Sequence, residues 1–257
     1  MSTGPLIAIA DPAILTSIDI SGLVALLPVE EQNRFALFKV PGPARQFLLG
    51  RLLTRWLARR WLGDPEEPGN IRVDENGRPA FVDLPLNFSI SHTNELVGVA
   101  IMAVNGGAIG LDIERLESQQ VVAETADTVL TASERDDLRC HGDDLDRFTR
   151  YWVAKEAALK LHGTGFLIDP ATVAVKLMPR YADVSIPESS EWAGKHIRVQ
   201  LDRLKTGHHI GLAYSDTNMP APDAVPVIVC QSVGASAPQG IAFKAYDDEP
   251  LFHKAIP

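Results

Sequence analysis

Two cysteines in 257 residues leave little room for sulfur chemistry. Cys140 and Cys230 stand alone, without CxxC spacing, so neither a zinc site nor a disulfide framework is expected. That usage fits a reducing cytosol. Long apolar runs are also missing. The longest, LVGVAIMAV, is strand-sized, well short of the ~18 residues that would cross a bilayer. The opening MSTGPLIAIADPAIL lacks a basic n-region, and Asp11 ends its apolar stretch, so no signal peptide is expected. Positive charge is in deficit: the net charge of −9 argues against a nucleic-acid partner.

What is present is an ordinary globular composition, 46% hydrophobic and 22% charged, enough for a sizeable core. The acidic average hides one reversal. Residues 32–63 hold seven basic residues and no acid, a patch suited to an anionic ligand or partner. Within that stretch a helix is expected from Arg45 to Leu62, because Leu48, Leu49, Leu52, Leu53, Trp56 and Leu57 recur at helical spacing. On its wheel Arg51, Arg55 and Arg59 form a stripe beside the apolar face, and Arg45 falls within that face. An inward guanidinium there needs an anionic partner.

Further along, IRVDENGRPAFV reads as a hairpin around its NG, and LNFSIS as a strand. LVGVAIMAV and AIGLDIE read as a second hairpin joined by NGG. Residues 121–139 are helical in pattern, with an N-cap at Thr131 or Ser133. DRFTRYWVAKEAALKLHG is a strong helix closed by Gly163. ATVAVKLM, KHIRVQLDRL, HHIGLAYS and VPVIVCQS read as strands, the last followed by a low-complexity tail. The rhythm of helix, hairpin, helix and strands predicts a two-lobed α+β protein. Its boundaries are an N-terminal lobe 1–115, a C-terminal lobe 116–216 and an extension 217–257.

The sharpest chemical signal is IGLDIE. A strand has period two, so Asp112 and Glu114 share one face while Leu111 and Ile113 share the other. The pair is either a strand end turning into solvent or half of a cation site. In WVAKEAALKLHGTGF, Trp152, Glu156 and Lys160 share a helix face, and Lys155 points about 100° away. Glu156 and Lys160 can form an i,i+4 salt bridge. Alternatively Glu156 is a third carboxylate, and three acids with open water positions suit Mg²⁺ bound to a phosphate. Competing motifs fall short. GASAP is no nucleophile elbow, and GTGFLI lacks the strand and third glycine of a dinucleotide fingerprint.

IGLDIE followed by WVAKEAALKLHGTGF resembles the paired signature of the 4'-phosphopantetheinyl transferases, in the larger, monomeric, surfactin-synthetase-activator (Sfp) type. GRPAF resembles that family's Gly-Lys-Pro segment, FSISHT its Asn-x-Ser-His-Ser segment, and ARQFLLGRLLTRWLA its N-terminal helix. The likeness covers roughly residues 30–175. Ser89 stands where Asn is usual, Arg78 replaces Lys, and Thr164 sits where Lys is common. The resemblance implies two similar lobes with pseudo-twofold symmetry, each a small, mainly antiparallel sheet packed with a long helix, and an active site between them.

It also implies an activity: moving the phosphopantetheine arm of coenzyme A onto a serine of an apo acyl or peptidyl carrier protein. Asp112, Glu114 and Glu156 would hold Mg²⁺, with Mn²⁺ as the other candidate. Glu156 or Glu134 would take the serine proton. Lys155 and Lys160 would stabilise the leaving 3',5'-ADP. Arg45, Arg78, Ser91 and His92 would contact the coenzyme A end. Two readings from other classes remain beside it: a Mg²⁺-dependent phosphohydrolase using the same acids, and a non-catalytic binding module whose acids are merely exposed.

Overall fold

A computed structural model describes residues 4–63, 70–75, 77–116, 118–163, 168–187, 196–214, 225–236 and 240–251. In chain order the strands of the first half are β1 (Leu6–Ala10), β2 (Ile71–Val73), β3 (Pro79–Phe81), β4 (Leu86–His92), β5 (Val97–Ala103) and β6 (Ile109–Glu114). Those of the second half are β7 (Ala174–Leu177), β8 (Tyr181–Ser185), β9 (His196–Arg203), β10 (His209–Tyr214), β11 (Val225–Ser236) and β12 (Gly240–Leu251). The helices are α1 (Ser21–Val24), α2 (Val29–Ala36), α3 (Pro41–Leu62), α4 (Gln119–Val129), α5 (Ala132–Cys140) and α6 (Leu145–His162). The fold class is α+β. Among the described residues no helix is long and apolar enough to cross a membrane.

The chain divides into two compact units, residues 1–106 with 219–257, and residues 107–218. The first has a five-stranded sheet in the order β12-β11-β1-β5-β4, and a small β2–β3 hairpin. Its long helix α3 starts with a proline at its N-terminal turn and stops at Gly63, whose φ of 68° gives the left-handed cap. Leu48, Leu49, Leu52, Leu53 and Leu57 are all fully buried, in one cluster with Ala8, Val97, Val99 and Ile101 of the sheet. Burying each leucine is worth about 1.5–3 kcal/mol. The expected helical spacing is thus what fixes α3 to its sheet.

The second unit is a fully antiparallel sheet, β6-β10-β9-β8-β7, carrying α6. Asp144 caps the start of α6 by accepting from the Asp146 and Arg147 N–H groups, and Gly163 closes it at φ 85°. Residues 121–139 form two helices, not one. Leu130 turns extended, and Thr131 starts α5 with a capping box to Glu134. One of the two N-caps expected from the sequence is therefore the real one.

Three expectations change. LVGVAIMAV and AIGLDIE do not pair with each other. β5 lies between β1 and β4, while β6 pairs with β10 in the other sheet. Residues 104–106 form a short 3-10 turn, and Gly107 follows at φ 90°, which sends the chain onward instead of back. For the same reason the units divide at 106 and not at 115: β6 takes all its ladder bonds from the second sheet. Finally, VPVIVCQS is a strand as expected, but the segment after it is not a low-complexity tail: it continues β11 and supplies β12. β11 runs parallel to β1 and antiparallel to β12, so it completes the first unit's sheet.

Candidate active site

In β6 the acids face the helix. Gly110, Asp112 and Glu114 alternate onto one side, and Gly110 meets α6 so closely that an added Cβ would lie 2.0 Å from the Ala157 carbonyl oxygen. The strand partner of Asp112 is Gly211 of β10, and an added Cβ there would lie 2.6 Å from a Val153 methyl. With Ala154, Ala157 and Ala158 on the opposing surface, α6 lies against a sheet stripped of side-chain bulk. The glycine of IGLDIE therefore sets the distance between the strand carboxylates and the helix that carries Glu156 and Lys160. On the other face Leu111 and Ile113 are fully buried, as the alternation requires.

The acids interact. Asp112 is 2% exposed, and its Oδ1 accepts a hydrogen bond from Lys160 Nζ at 2.7 Å. Burial raises the Glu114 carboxyl to about 7; repulsion from Asp112 and Glu156 adds to this, and Lys160 opposes it. Glu156 is likewise raised to about 7, first by burial and then by Asp112, again against Lys160. Three carboxylates and one ammonium thus share a half-buried space with a surplus of negative charge. The helix-internal Glu156–Lys160 bridge is not what Lys160 makes; it reaches across to the strand.

This donor set suits a hard divalent cation, which would supply the missing positive charge to Glu114 and Glu156. Among the described residues, no three His, Cys, Asp or Glu side chains are already grouped as a metal cage. Asp112 is answered by Lys160 instead. The fit to Mg²⁺ therefore rests on oxygen chemistry and on the two destabilised carboxylates.

Lys155 and Glu134 have a different place. Lys155 is 1% exposed, and its Nζ donates to Val129 O at 2.8 Å, Pro170 O at 2.9 Å and Glu134 Oε2 at 2.6 Å. An ammonium has three donors, and all three are spent inside the unit. Burial lowers the Lys155 ammonium, and Glu134 opposes that. Glu134 is equally committed. It accepts from the Thr131 N–H at 2.8 Å and the Val175 N–H at 2.7 Å as well as from Lys155. The expected roles of Lys155 as phosphate contact and Glu134 as base give way to a buried tie joining α5, α6 and β7.

The residues expected to contact coenzyme A lie in the first unit. Gln46 of α3 donates to Thr93 O at 2.8 Å, which brings the second turn of α3 to the end of β4. Arg45, Ser91 and His92 are each one or two residues from that contact. Ser91 is buried and His92 exposed. Arg78 sits in the β2–β3 hairpin, its backbone N–H bonded to Asp74. Thr164 lies outside the described residues. Arg45 is only half buried, so it is not the inward guanidinium its wheel position implied. Arg51 and Arg55 of the stripe are buried against Glu31 of α2. Glu31 was missed because its partners lie twenty or more residues away.

Residues 108–212, nearly the whole second unit, match the family model of the 4'-phosphopantetheinyl transferase superfamily. The chain is 34% identical to 4'-phosphopantetheinyl transferase HetI of a Nostoc species, over 56% of its own length and 62% of that protein. It is 30% identical to 4'-phosphopantetheinyl transferase gsp of Aneurinibacillus migulanus, over 54% of its own length and 57% of the other. The matches thus span about three fifths of these two relatives. The L-aminoadipate-semialdehyde dehydrogenase-phosphopantetheinyl transferase of Rattus norvegicus is 23% identical over 81% of this chain and 77% of that one. The superfamily segment contains Asp112, Glu114, Glu156 and Lys160, and none of the residues expected at the coenzyme A end.

Proposed function

We propose that the chain transfers 4'-phosphopantetheine from coenzyme A to a serine of an apo carrier protein, releasing 3',5'-ADP, as an Sfp-type transferase dependent on Mg²⁺. One observation carries the reading: Asp112, Glu114, Glu156 and Lys160 form a single electrostatic unit inside the superfamily segment.

Asp112, Glu114 and Glu156 would hold the cation, which when bound supplies charge to the reacting pyrophosphate. Lys160 is partly exposed and adds a positive charge at the same place, suited to the leaving bisphosphate. Glu156, at the edge of the same space, is proposed as the acceptor of the proton of the attacking serine. Buried Leu111 and Ile113 hold the strand in register, so the acids cannot rotate out of the space. Arg45, Arg78, Ser91 and His92 are proposed as the coenzyme A contacts of the first unit.

The test is incubation of the purified protein with apo acyl and peptidyl carrier proteins, coenzyme A and Mg²⁺. A carrier mass gain of one phosphopantetheine, absent without Mg²⁺ and with an Asp112→Ala variant, is the expected result. Release of phosphate from small esters with no carrier modified would overturn it in favour of a phosphohydrolase.

A further inference from the structure

The second unit holds a second charged cluster, at the first turns of α6. Arg150 is half-buried there. Its Nη2 donates to the backbone carbonyls of Met178 and Pro179, the latter at 3.1 Å. Carbonyls hold a guanidinium in place without cancelling its charge. Burial disfavours the charged form of Arg150, against the attraction of Asp146.

The groups around Arg150 are mostly cations. Arg203 Nη1 and His209 Nε2 lie 3.5 and 3.0 Å from the same oxygen of Asp146. His209 is 8% exposed, so its ring is held beside that carboxylate. Arg180 Nη2 lies 3.2 Å from Asp202 Oδ2. Arg150, Arg180, Arg203, His209, Asp146 and Asp202 all line one cavity of about 320 Å³. Three guanidiniums there face two carboxylates, which leaves one positive charge even with His209 neutral. Asp144 also attracts Arg150, but it is exposed, and its oxygens cap the start of α6. Solvent screens such a charge.

The same cavity has an apolar wall, made by Pro179 and the buried Leu201. A surplus of one positive charge matches a monoanion, and guanidinium forks pair with the two oxygens of a carboxylate. We propose that this cavity binds a small organic monocarboxylate, its charged end on Arg150, Arg180 and Arg203 and its apolar end on Pro179 and Leu201. The volume lies at the small end of ligand pockets, which suits a molecule of a few carbons. The site lies wholly within residues 107–218 and does not depend on the transfer reading. His209 is the strand partner of Glu114, so the controls must separate this cavity from the acids of β6.

The experiment is an NMR titration of the ¹⁵N-labelled protein with sodium butyrate, at constant ionic strength set by chloride. The wild type should show saturable shifts centred on the amides of residues 201–203 and 209. The side chains of Arg180 and Arg203 are 41% and 63% exposed, so Arg180→Gln/Arg203→Gln removes two cavity cations without opening the core. That variant should bind butyrate about tenfold more weakly or worse, as loss of charged hydrogen bonds demands. Arg198→Gln removes an exposed arginine of β9 that pairs with Asp183 outside the cavity, and should bind as the wild type does. Lys160→Gln should too. No saturable binding to the wild type would overturn the proposal. Equal weakening in Arg198→Gln would do so as well, since it would mean general attraction to a basic surface. Binding lost in Lys160→Gln but kept in Arg180→Gln/Arg203→Gln would place butyrate at the acids of β6 instead. Acetate binding as tightly as butyrate, or inorganic phosphate binding more tightly, would overturn the assignment of an apolar-tailed carboxylate.

Discussion

Lys160, in the last turn of α6, holds Asp112 of β6 by a 2.7 Å hydrogen bond, from a side chain that is itself 29% exposed. The contact joins helix and strand beside Glu114 and Glu156. It also makes Asp112 the pivot of the group, because repulsion from Asp112 adds to burial in raising both glutamates.

Asp112→Asn should therefore act twice. The Glu114 and Glu156 carboxyls should titrate closer to ordinary values, which NMR of the glutamate carboxyl carbons would follow. Transfer should fall by about a hundredfold or more, the scale for removing one electrostatic group from a reacting centre. Unmoved glutamate titrations would mean that the three acids do not share a field.

The metal-free protein should lose stability as pH rises. A carboxyl at about 7 in the folded state and 4.5 in its ordinary state is protonated in both at low pH, so it costs nothing there. Ionisation between these values is penalised only in the folded chain, so the penalty grows through that window and is complete above 7. Thermal midpoints in EDTA should fall from pH 5 to pH 8 beyond the trend of an Asp112→Asn variant, and Mg²⁺ should reverse part of the fall. A midpoint that climbs across this range would contradict two buried, destabilised carboxyls.

Gly110→Ala should be expensive. Its methyl would lie 2.0 Å from backbone that cannot swing aside, so strand and helix must separate. Overpacking of this kind costs about 1–3 kcal/mol, and urea unfolding would read it. Gly22→Ala, with nothing within 4 Å, is the control and should be neutral or slightly stabilising. A transfer loss in Gly110→Ala larger than its loss of folded population would show that the strand–helix distance itself matters.

Lys155→Met should destabilise the fold and leave the KM for coenzyme A nearly unchanged in the folded fraction. Removing one partner strands Glu134, a loss of about 3–5 kcal/mol for a buried pair. Lys155→Met/Glu134→Gln should recover part of it. A raised KM at wild-type stability would restore Lys155 as a phosphate contact.

Arg45→Ala and Arg55→Ala should separate in kind. The first should raise the KM for coenzyme A about tenfold, the size of one lost charged contact to phosphate. The second should lower stability through Glu31. Denaturation and steady-state kinetics on both variants distinguish the two effects.

Local signals in the sequence were legible where one element decides them. The Leu48-to-Leu57 spacing, the Thr131 cap, Gly163 and the IGLDIE alternation all reappear in the structure as expected. What failed was pairing at a distance. NGG between two strands looks like a hairpin, yet β6 finds its ladder in β10, about a hundred residues on. YADVS is too short and mixed to announce β8, which exists because β7 and β9 flank it. The wheel of α3 showed where Arg51 and Arg55 point but not that α2 would cover them with Glu31. Lys155 and Glu156 are sequence neighbours with opposite fates, since 100° of helix rotation puts one among carbonyls and the other among acids.

The parallel pairing of β1 with β11 has a consequence in time. A chain leaves the ribosome from its N-terminus, and residues 107–218 are contiguous, so the second unit has all its strands before β11 is synthesised. The first unit does not. β1 waits with one edge bare across more than two hundred residues of intervening chain, the slowest kind of contact to close. A chain stopped at residue 218 would thus carry a finished second unit beside an unfinished first, and limited proteolysis should cut it within 4–106 while sparing 107–214.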